Sequence, residues 1–431
     1  MTPQSNIMVV APILENREVE LRQLLDQMNV SPGVCDPQNP LVPFGRFPTI
    51  HFARFVILND LTREDLRAYN ATPLPATKQL AFLCDFDGPA DVLRKDLATQ
   101  AREGLRRIFS CCQSFGDETD LLHWMADHEN PPSTSYVNWV GRTVHQIREE
   151  QNLRLALEAR LQGNSVTGMD ARYIWSALRQ FADEERSQSR LTLTPEAPTP
   201  LTWQLKNLAH LIAVPLLLLL ALPLLLLYLP FFLIQLRMRE KRDAEIVPRT
   251  DPEFVSSLAV REDQIITNQF SAYGNVKPGA FRRWTLVFLL FAIEYTTRHI
   301  YNRGYLARVS TIHFARWVFL DDRKRLYFAS NYDGSLESYM GDFINKVAWG
   351  LNLVFSNGVG YPRTNWLVAG GAKDEQKFKD YIRRHQLPTE VWYDATPGVT
   401  AYDMARNRLI REGLEKNSMT DGEAAEWVKL F

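Results

Sequence analysis

The chain has few of the features that identify common classes of enzyme or secreted protein. Only four cysteines occur, and their spacing matches neither a zinc site nor a disulfide framework, so we expect free thiols in a reducing compartment. No GxGxxG, P-loop, GxSxG or HExxH pattern occurs, so nucleotide cofactors, α/β-hydrolase chemistry and the common zinc sites lack support. The 49 basic and 50 acidic residues nearly balance, which argues against nucleic acid as a partner. The first residues lack a basic region and predict a strand instead of a signal peptide.

What the 431 residues do contain is an internal repeat. The hexapeptide TIHFAR at residues 49–54 returns at residues 311–316. Two further matches follow in the same order, an Asp-Gly pair after a strand and a segment with shared His, Pro, Tyr, Gly and Thr positions: Asp87 and Asp333, then 128–143 and 385–400. The sequence therefore indicates a tandem duplication.

Each half has the same predicted order of elements: strand, helix, two strands, helix and strand. This is the βαββαβ order of a ferredoxin-like unit, and its strands are short runs of β-branched and aromatic residues bounded by turns. One such sheet has helices on one face only, so two units are expected to pack sheet to sheet. The predicted fold is thus α+β, a tandem duplication of ferredoxin-like units that form an α+β barrel, with a Leu-rich membrane segment between them.

On this interpretation the chain has five parts. They are the first repeat (1–145), a helical connector with a Pro/Thr-rich linker (146–207), a hydrophobic membrane segment (208–236), a basic flank and linker (237–265), and the second repeat with a C-terminal helix (266–431). The strands are predicted at residues 6–13, 49–58, 79–85 and 135–140, and at 269–273, 311–320, 325–331 and 390–393.

Residues 211–234 are apolar, rich in leucine and without a charge. As a straight helix they would extend roughly 36 Å, enough for a bilayer core of about 30 Å. A spanning helix, however, would place the two repeats on opposite sides of the membrane. Three prolines favour a re-entrant or surface-lying hairpin that turns at Pro223 and returns the chain to the same side. A true span with repeats that pair in trans, and a segment buried by a partner, are the alternatives.

Basic residues follow this run more closely than they precede it. Lys206 alone lies close before it, whereas Arg237, Arg239, Lys241 and Arg242 come after it. Such a bias is typical of the cytoplasmic side, and basic side chains bind anionic head groups. We therefore expect a membrane-associated protein at the cytoplasmic face, with membrane lipid as a partner and a homo-oligomer as an open possibility.

The repeated hexapeptide places an arginine three residues after each histidine, as His51 with Arg54 and His313 with Arg316. Histidine can ligate iron or move protons, and arginine can polarise a bound peroxide. In a regular strand, residues three apart face opposite sides of the sheet, so Ile312 and Phe314 would share the face of Arg316. The pattern is compatible both with a structural role that the fold needs twice and with a functional one.

Asp87 and Asp333 each precede a glycine where a strand turns into a helix. An aspartate there can act as a helix N-cap, while glycine eases the turn. The functional alternative is an acid–base carboxylate at the mouth of a pocket, which Asn331 and Arg316 would assist.

Two further histidines are candidate axial ligands of a haem. His299 lies near the end of a predicted helix, and His385 precedes a helix stop at Pro388. Either residue can equally be a solvated or core histidine, or one that complements a helix dipole.

Two ferredoxin-like repeats with Asp-Gly after a strand resemble the dimeric α+β barrel superfamily, in particular the dye-decolourising (DyP-type) peroxidases and their chlorite-dismutase relatives. In those peroxidases a Gly-x-x-Asp-Gly motif supplies a distal aspartate, an arginine assists peroxide cleavage, and a histidine of the C-terminal unit ligates haem. The segment SNYDG at residues 330–334 keeps Asp-Gly and lacks the first glycine. The resemblance implies that Asp333 is the distal acid and Arg316 its partner.

The leading hypothesis is a membrane-attached, peroxidase-like oxidoreductase that acts on a peroxide or a lipophilic substrate. Asp333 would be the acid–base group, aided by Arg316 and Asn331, and haem iron would be held by His313, His299 or His385. The alternative is a haem-free α+β barrel that binds lipid or acts as a scaffold for a partner at the membrane surface. A cavity lined by polar groups and shared by the two units would favour the enzyme.

Overall fold

The computed structural model describes residues 1–163, 169–246 and 248–431. Over these residues the protein is mixed α+β, with antiparallel sheets and one long apolar helix. The strands are β1 (Gln4–Pro12), β2 (Asn29–Ser31), β3 (Val34–Cys35), β4 (Ile50–Leu58), β5 (Gln79–Asp87), β6 (Thr134–Val137), β7 (Thr267–Asn275), β8 (Ile312–Leu320), β9 (Arg325–Asp333), β10 (Thr364–Asn365), β11 (Ala369–Gly370) and β12 (Thr389–Asp394). The α-helices are α1 (Glu18–Asp26), α2 (Ala90–Gln100), α3 (Arg102–Phe109), α4 (Leu121–Asp127), α5 (Val144–Gln162), α6 (Ala171–Ser187), α7 (Leu201–Arg242), α8 (Pro252–Ala259), α9 (Ala280–His299), α10 (Leu336–Phe355), α11 (Glu375–His385), α12 (Ala401–Glu415) and α13 (Asp421–Val428).

Two four-stranded sheets have the same spatial arrangement of strands. The first has the order β1-β5-β4-β12, and the second has the order β7-β9-β8-β6. The edge strand of each sheet therefore comes from the other half of the chain, which differs from the expectation that each half completes its own sheet. The apolar side chains explain the exchange, because Tyr136 of β6 packs in the core of the second sheet and Val391 of β12 in that of the first.

The two sheets face each other across a shared apolar core. Met8, Val56 and Leu83 of the first sheet pack with Val318 and Tyr327 of the second. Helices α1, α2 and α3 cover the outer face of the first sheet, and α9, α10 and α11 cover that of the second. The central strands are thus buried on both faces, as their apolar sequences predict.

A β-bulge interrupts the hexapeptide strand in both halves. The register shifts between Ile50 and Phe52 in β4, and between Ile312 and Phe314 in β8. Ile312 packs in the outer core of the second sheet, whereas Phe314 lies between the sheets. The predicted alternation, with these two side chains on one face, is therefore wrong, because the extra residue of a bulge resets the alternation. As a result, histidine and arginine of each hexapeptide both lie between the sheets.

Helix α7 is a single helix of 42 residues that continues through Pro215, Pro223 and Pro230. The predicted hairpin at Pro223 is therefore wrong. A proline removes one backbone hydrogen bond, and the bonds on either side of it are enough here to keep the helical path. In the described part of the chain, α7 is the one helix that is long and apolar enough to cross a membrane by length and composition. It is mostly exposed, which favours association with a membrane.

Both ends of α7 contact the C-terminal half of the chain. Near its start, Arg298 of α9 donates to Asn207 at 2.8 Å, and Tyr295 donates to the carbonyl oxygen of Leu211 at 3.1 Å. Near its end, the Phe232 ring stacks on Phe281, at the beginning of α9, with 5.3 Å between ring centroids. Helix α7 therefore runs antiparallel to α9.

Candidate functional site

His313 and Asp333 form a buried pair between the sheets. His313 Nε2 lies 2.7 Å from Asp333 Oδ1, and the Thr267 hydroxyl donates to the same oxygen at 3.2 Å. The other oxygen of Asp333 accepts the backbone N–H of Ala401, the first residue of α12, at 2.7 Å. Burial alone would lower the pKa of His313, but the charge and hydrogen bond of Asp333 outweigh it and raise that pKa.

The N-terminal half contains the same arrangement. His51 Nε2 lies 2.9 Å from Asp87 Oδ1, and Asp87 Oδ2 accepts the backbone N–H of Val144, the first residue of α5, at 2.9 Å. Each aspartate therefore binds the start of the helix that follows an exchanged strand. It is not the N-cap of the next helix along the chain, since α2 begins after Pro89 and α10 after Ser335.

Arg316 leaves its own sheet and binds the backbone of the other. It donates to the carbonyl oxygens of Ile7 at 2.8 Å and Cys84 at 3.0 Å, and it forms an ion pair with Asp85. Within the described ranges, no hydrogen bond or ion pair joins Arg316 to Asp333. The guanidinium is therefore occupied in holding the two sheets together.

Arg54 makes the reciprocal crossing. It donates to the carbonyl oxygens of Phe270 at 3.0 Å and Ser330 at 3.2 Å, and to the side-chain oxygen of Asn331. The Asn331 amide in turn donates to Asp85 at 3.3 Å. Burial lowers the pKa of Arg54. Asp85 thus binds Arg316 directly and is connected to Arg54 through Asn331.

The remaining histidines lie in other parts of the molecule. His299 Nε2 is 2.8 Å from His210 Nδ1, at the contact between α9 and α7. His385 Nδ1 lies 2.8 Å from the carbonyl oxygen of Tyr381, and its Nε2 lies 3.3 Å from the Thr62 hydroxyl. Burial lowers the pKa of His385, which favours the neutral ring.

The residues that the sequence singles out therefore do not meet in one site. Asp333 and His313 are together, Arg316 and Asn331 belong to the network between the sheets, and His299 and His385 are separate. An axial ligand needs a ring nitrogen free to face a cavity that holds the macrocycle. Both oxygens of Asp333 are bonded, while His313 and His299 make their contacts through Nε2 and His385 through both ring nitrogens. The three histidines lie apart, so they could not hold one haem together, and the choice of a single axial ligand among them stays a prediction. Over residues 1–163, 169–246 and 248–431, no three His, Cys, Asp or Glu side chains are placed to hold a metal ion.

An apolar cavity of about 130 Å³ lies on the outer face of the second sheet. We call it the α9–α10 cavity; these two helices and α11 line its walls, and β7, β8 and β9 form its floor. Its lining is almost entirely apolar and aromatic, and includes Phe270, Ile293, Trp317, Phe328, Met340, Phe343, Trp349 and Phe355. Apolar cavities of this size can hold a small ring or part of an alkyl chain.

The α9–α10 cavity adjoins an exposed apolar surface. Trp349 lines the cavity and is 52% exposed. On α9, Trp284, Phe288 and Phe291 are exposed, and the middle of α7 carries a long series of exposed leucines. Helix α9 thus lines the cavity through Ile293 and contacts α7 through Tyr295 and Phe281.

Sequence reasoning did not find this cavity. No motif marks it, since its lining comes from three strands, three helices and the segment after α9, which are far apart in the chain. The feature of the sequence that could have indicated the cavity is the apolar composition of α9 and α10, whose apolar residues extend beyond a single helix face.

Comparison with known proteins adds no relative. Neither a scan against protein-family models nor a search of curated proteins found a match to this chain.

Proposed function

We propose that this protein lies on a membrane surface and binds one lipophilic molecule in the α9–α10 cavity. The observation that carries the proposal is an apolar cavity lined in part by α9, the helix that also contacts the exposed apolar helix α7. Surfaces of this kind are found at ligand and membrane sites, because leaving them in water is costly. A membrane would both cover the surface and supply the ligand.

The fold that we propose for this function is an α+β barrel of two ferredoxin-like repeats. Its support is the equal strand order of the two sheets, together with the paired bulges and the paired His–Asp contacts. Such a scaffold is rigid, because strands, arginines and aspartates of each half bind the other. Rigidity of the floor keeps the cavity open when no ligand is bound.

We propose that α7 lies along the membrane surface instead of crossing it. Both of its ends contact α9, so a crossing would carry α9 and the sheet beneath it into the bilayer. Leu220 and Leu227 are among the most exposed residues of the middle section, and transfer of such a side chain from water contributes roughly 1.5–3 kcal/mol. Arg242 and Lys241 at the C-terminal end favour the anionic cytoplasmic face.

Ligand binding can be tested with a cavity-filling variant. A Cβ at Gly350, which lines the α9–α10 cavity, would meet no atom within 4 Å, so Gly350→Leu places an added apolar side chain at the cavity wall. Gly341→Leu is the matched control, because it lies on the same helix, has equal room and does not line the cavity. The probe is a brominated medium-chain fatty acid, which quenches the fluorescence of Trp317 and Trp349 when it binds.

We expect saturable quenching in the unmodified protein and in Gly341→Leu, and binding weakened by about tenfold or more in Gly350→Leu. Equal affinity in the two variants would show that the fatty acid does not enter the cavity. The peroxidase hypothesis stays a prediction with its own test, the absorption spectrum of detergent-purified protein with and without haemin. A Soret band that disappears in His299→Ala, His313→Ala or His385→Ala would replace our proposal with that one.

A further inference from the structure

A second, basic cavity of about 260 Å³ lies where α7 ends and α9 begins. Four cationic side chains line it, from both helices and from the segment that precedes α9: Arg239, Arg242, Lys277 and Arg282. We call this space the basic cavity. Since the exposed leucines end about two turns of helix earlier, the basic cavity lies at the edge of the apolar surface.

The acidic groups near this cavity do not balance its cations. Asp243 accepts from Lys277 Nζ at 2.6 Å and from Arg282 Nη2 at 2.7 Å, both on the same carboxylate oxygen. It is the one carboxylate among the described residues that line the cavity, against four cations. The charge of Arg239 and Arg242 therefore stays uncompensated by the lining.

Glu240 is close in sequence but is directed elsewhere. Its oxygens accept from the Thr364 hydroxyl and from the backbone N–H groups of Trp366 and Leu367, each at 2.9 Å, and they pair with Arg237. These bonds tie the end of α7 to the C-terminal half. Glu240 therefore does not line the cavity, although its charge acts on Lys277.

Arg282 carries the strongest indication of a ligand. Its side chain is 2% exposed, yet its Nε and Nη1 atoms have no hydrogen-bond partner in the described part of the chain. Arg239 Nε is likewise buried without a partner. A buried charged donor without an acceptor is costly, so such atoms are normally satisfied by a bound group or by ordered water.

The start of α9 adds to this preference for an anion. Its N-cap residue is Gly279, with a φ of 103°, and no side chain caps the free backbone N–H groups of the first turn. The neighbouring Pro278 lines the basic cavity. Free N–H groups at a helix start and nearby guanidiniums together favour a compact, multiply charged oxyanion.

We propose that the basic cavity binds a phosphate group, supplied by the headgroup of an anionic phospholipid. The inference rests on the proposed membrane-surface location, and it adds a specific recognition site to a general apolar attachment. Phosphate oxygens would accept from the unpaired atoms of Arg282 and Arg239 and from Arg242. Free inorganic phosphate offers the same chemistry, so the experiment must separate the two sources.

The test uses the full-length protein and vesicles of phosphatidylcholine with and without a minor fraction of phosphatidate. Arg242→Gln is the test variant, since Arg242 lines the cavity and is exposed, so that folding is unaffected. Lys241→Gln is the control, because it removes the same charge from the adjacent exposed position outside the cavity. Loss of one surface charge alone should weaken binding to anionic vesicles about fivefold in both variants.

We expect Arg242→Gln to lose at least about tenfold more than the control, and only on vesicles that contain phosphatidate. Equal losses in the two variants would overturn the site. If inorganic phosphate raises the Tm of the unmodified protein and phosphatidate gives no preference, the headgroup source is wrong. Failure to bind phosphatidylcholine vesicles would instead refute the membrane-surface proposal, so the two failures are distinguishable.

Discussion

His313 Nε2 lies 2.7 Å from Asp333 Oδ1, and the second oxygen of that aspartate holds the first N–H of α12. One carboxylate thereby connects β8, β9 and a helix that begins more than sixty residues later. The same contacts recur at His51 and Asp87. A motif that could supply acid–base chemistry thus makes the hydrogen bonds that hold α5 and α12, the helices after the exchanged strands, against the two sheets.

The first prediction concerns these aspartates. Asp333→Asn should lower the free energy of unfolding by about 3 kcal/mol, since it removes the charge from a buried pair. Asp87→Asn should cost a similar amount, because its contacts are equivalent. Urea unfolding in detergent would measure both, with the exposed Asp117→Asn as control. A stable Asp333→Asn protein that has lost an oxidative activity would contradict the structural role.

The second prediction is a dependence on pH. The pKa of His313 is raised above its ordinary value of 6.5 when the protein is folded. The pair therefore stabilises the folded state fully below that ordinary value, and this stabilisation is lost as the pH rises through the raised pKa. The unmodified protein should accordingly have a higher Tm than His313→Gln, and this difference in Tm should be larger at about pH 6.5 than at about pH 9. A difference that stays constant or grows with pH would show that His313 is neutral in the folded protein.

The third prediction concerns the single carboxylate between two buried arginines. Asp85→Asn removes the carboxylate that pairs with Arg316 and that Arg54 reaches through Asn331, and it should cost about 3–5 kcal/mol of stability. Asn331→Ala keeps the Asp85–Arg316 pair and should cost about 1–3 kcal/mol. Chemical unfolding of the two variants in parallel shows which substitution lowers the free energy of unfolding more. The reverse order would mean that the amide, and not the carboxylate, holds the sheets together.

The fourth prediction concerns the exposed leucines of α7. Leu220→Ser combined with Leu227→Ser should weaken binding to phosphatidylcholine vesicles by at least about tenfold, because two side chains that enter the bilayer lose their apolar surface. The control replaces Leu155 and Leu409, which are exposed on other helices. Vesicle co-sedimentation measures both proteins. Equal binding by the test and control variants would place α7 outside the membrane.

By itself, the sequence determined where the eight long strands lie and their order along the chain. The eight long strands occur where runs of β-branched and aromatic residues predict them, because alternation and turn residues act over a few neighbouring positions. The glycines after Asp87 and Asp333 have positive φ values of 89° and 85°, as a tight turn requires. The apolar run of α7 was also recognisable in the sequence as a membrane segment. That it forms one uninterrupted helix through three prolines did not follow from its composition.

Only the tertiary structure decided which strands pair and what the polar residues bind. Asp333 accepts the backbone N–H of Ala401, and Arg54 donates to the carbonyl oxygen of Phe270. These residues are too far apart in the chain for the hydrophobic periodicity of the sequence to predict their contacts. The exchange of β6 and β12 depends on which core buries their side chains. The α9–α10 cavity depends on how α9, α10 and α11 pack on the second sheet. Local propensity sets the conformation of each element, whereas long-range burial and hydrogen bonding select the elements that it contacts. The candidate site is built from such long-range contacts, so only the tertiary structure defines it.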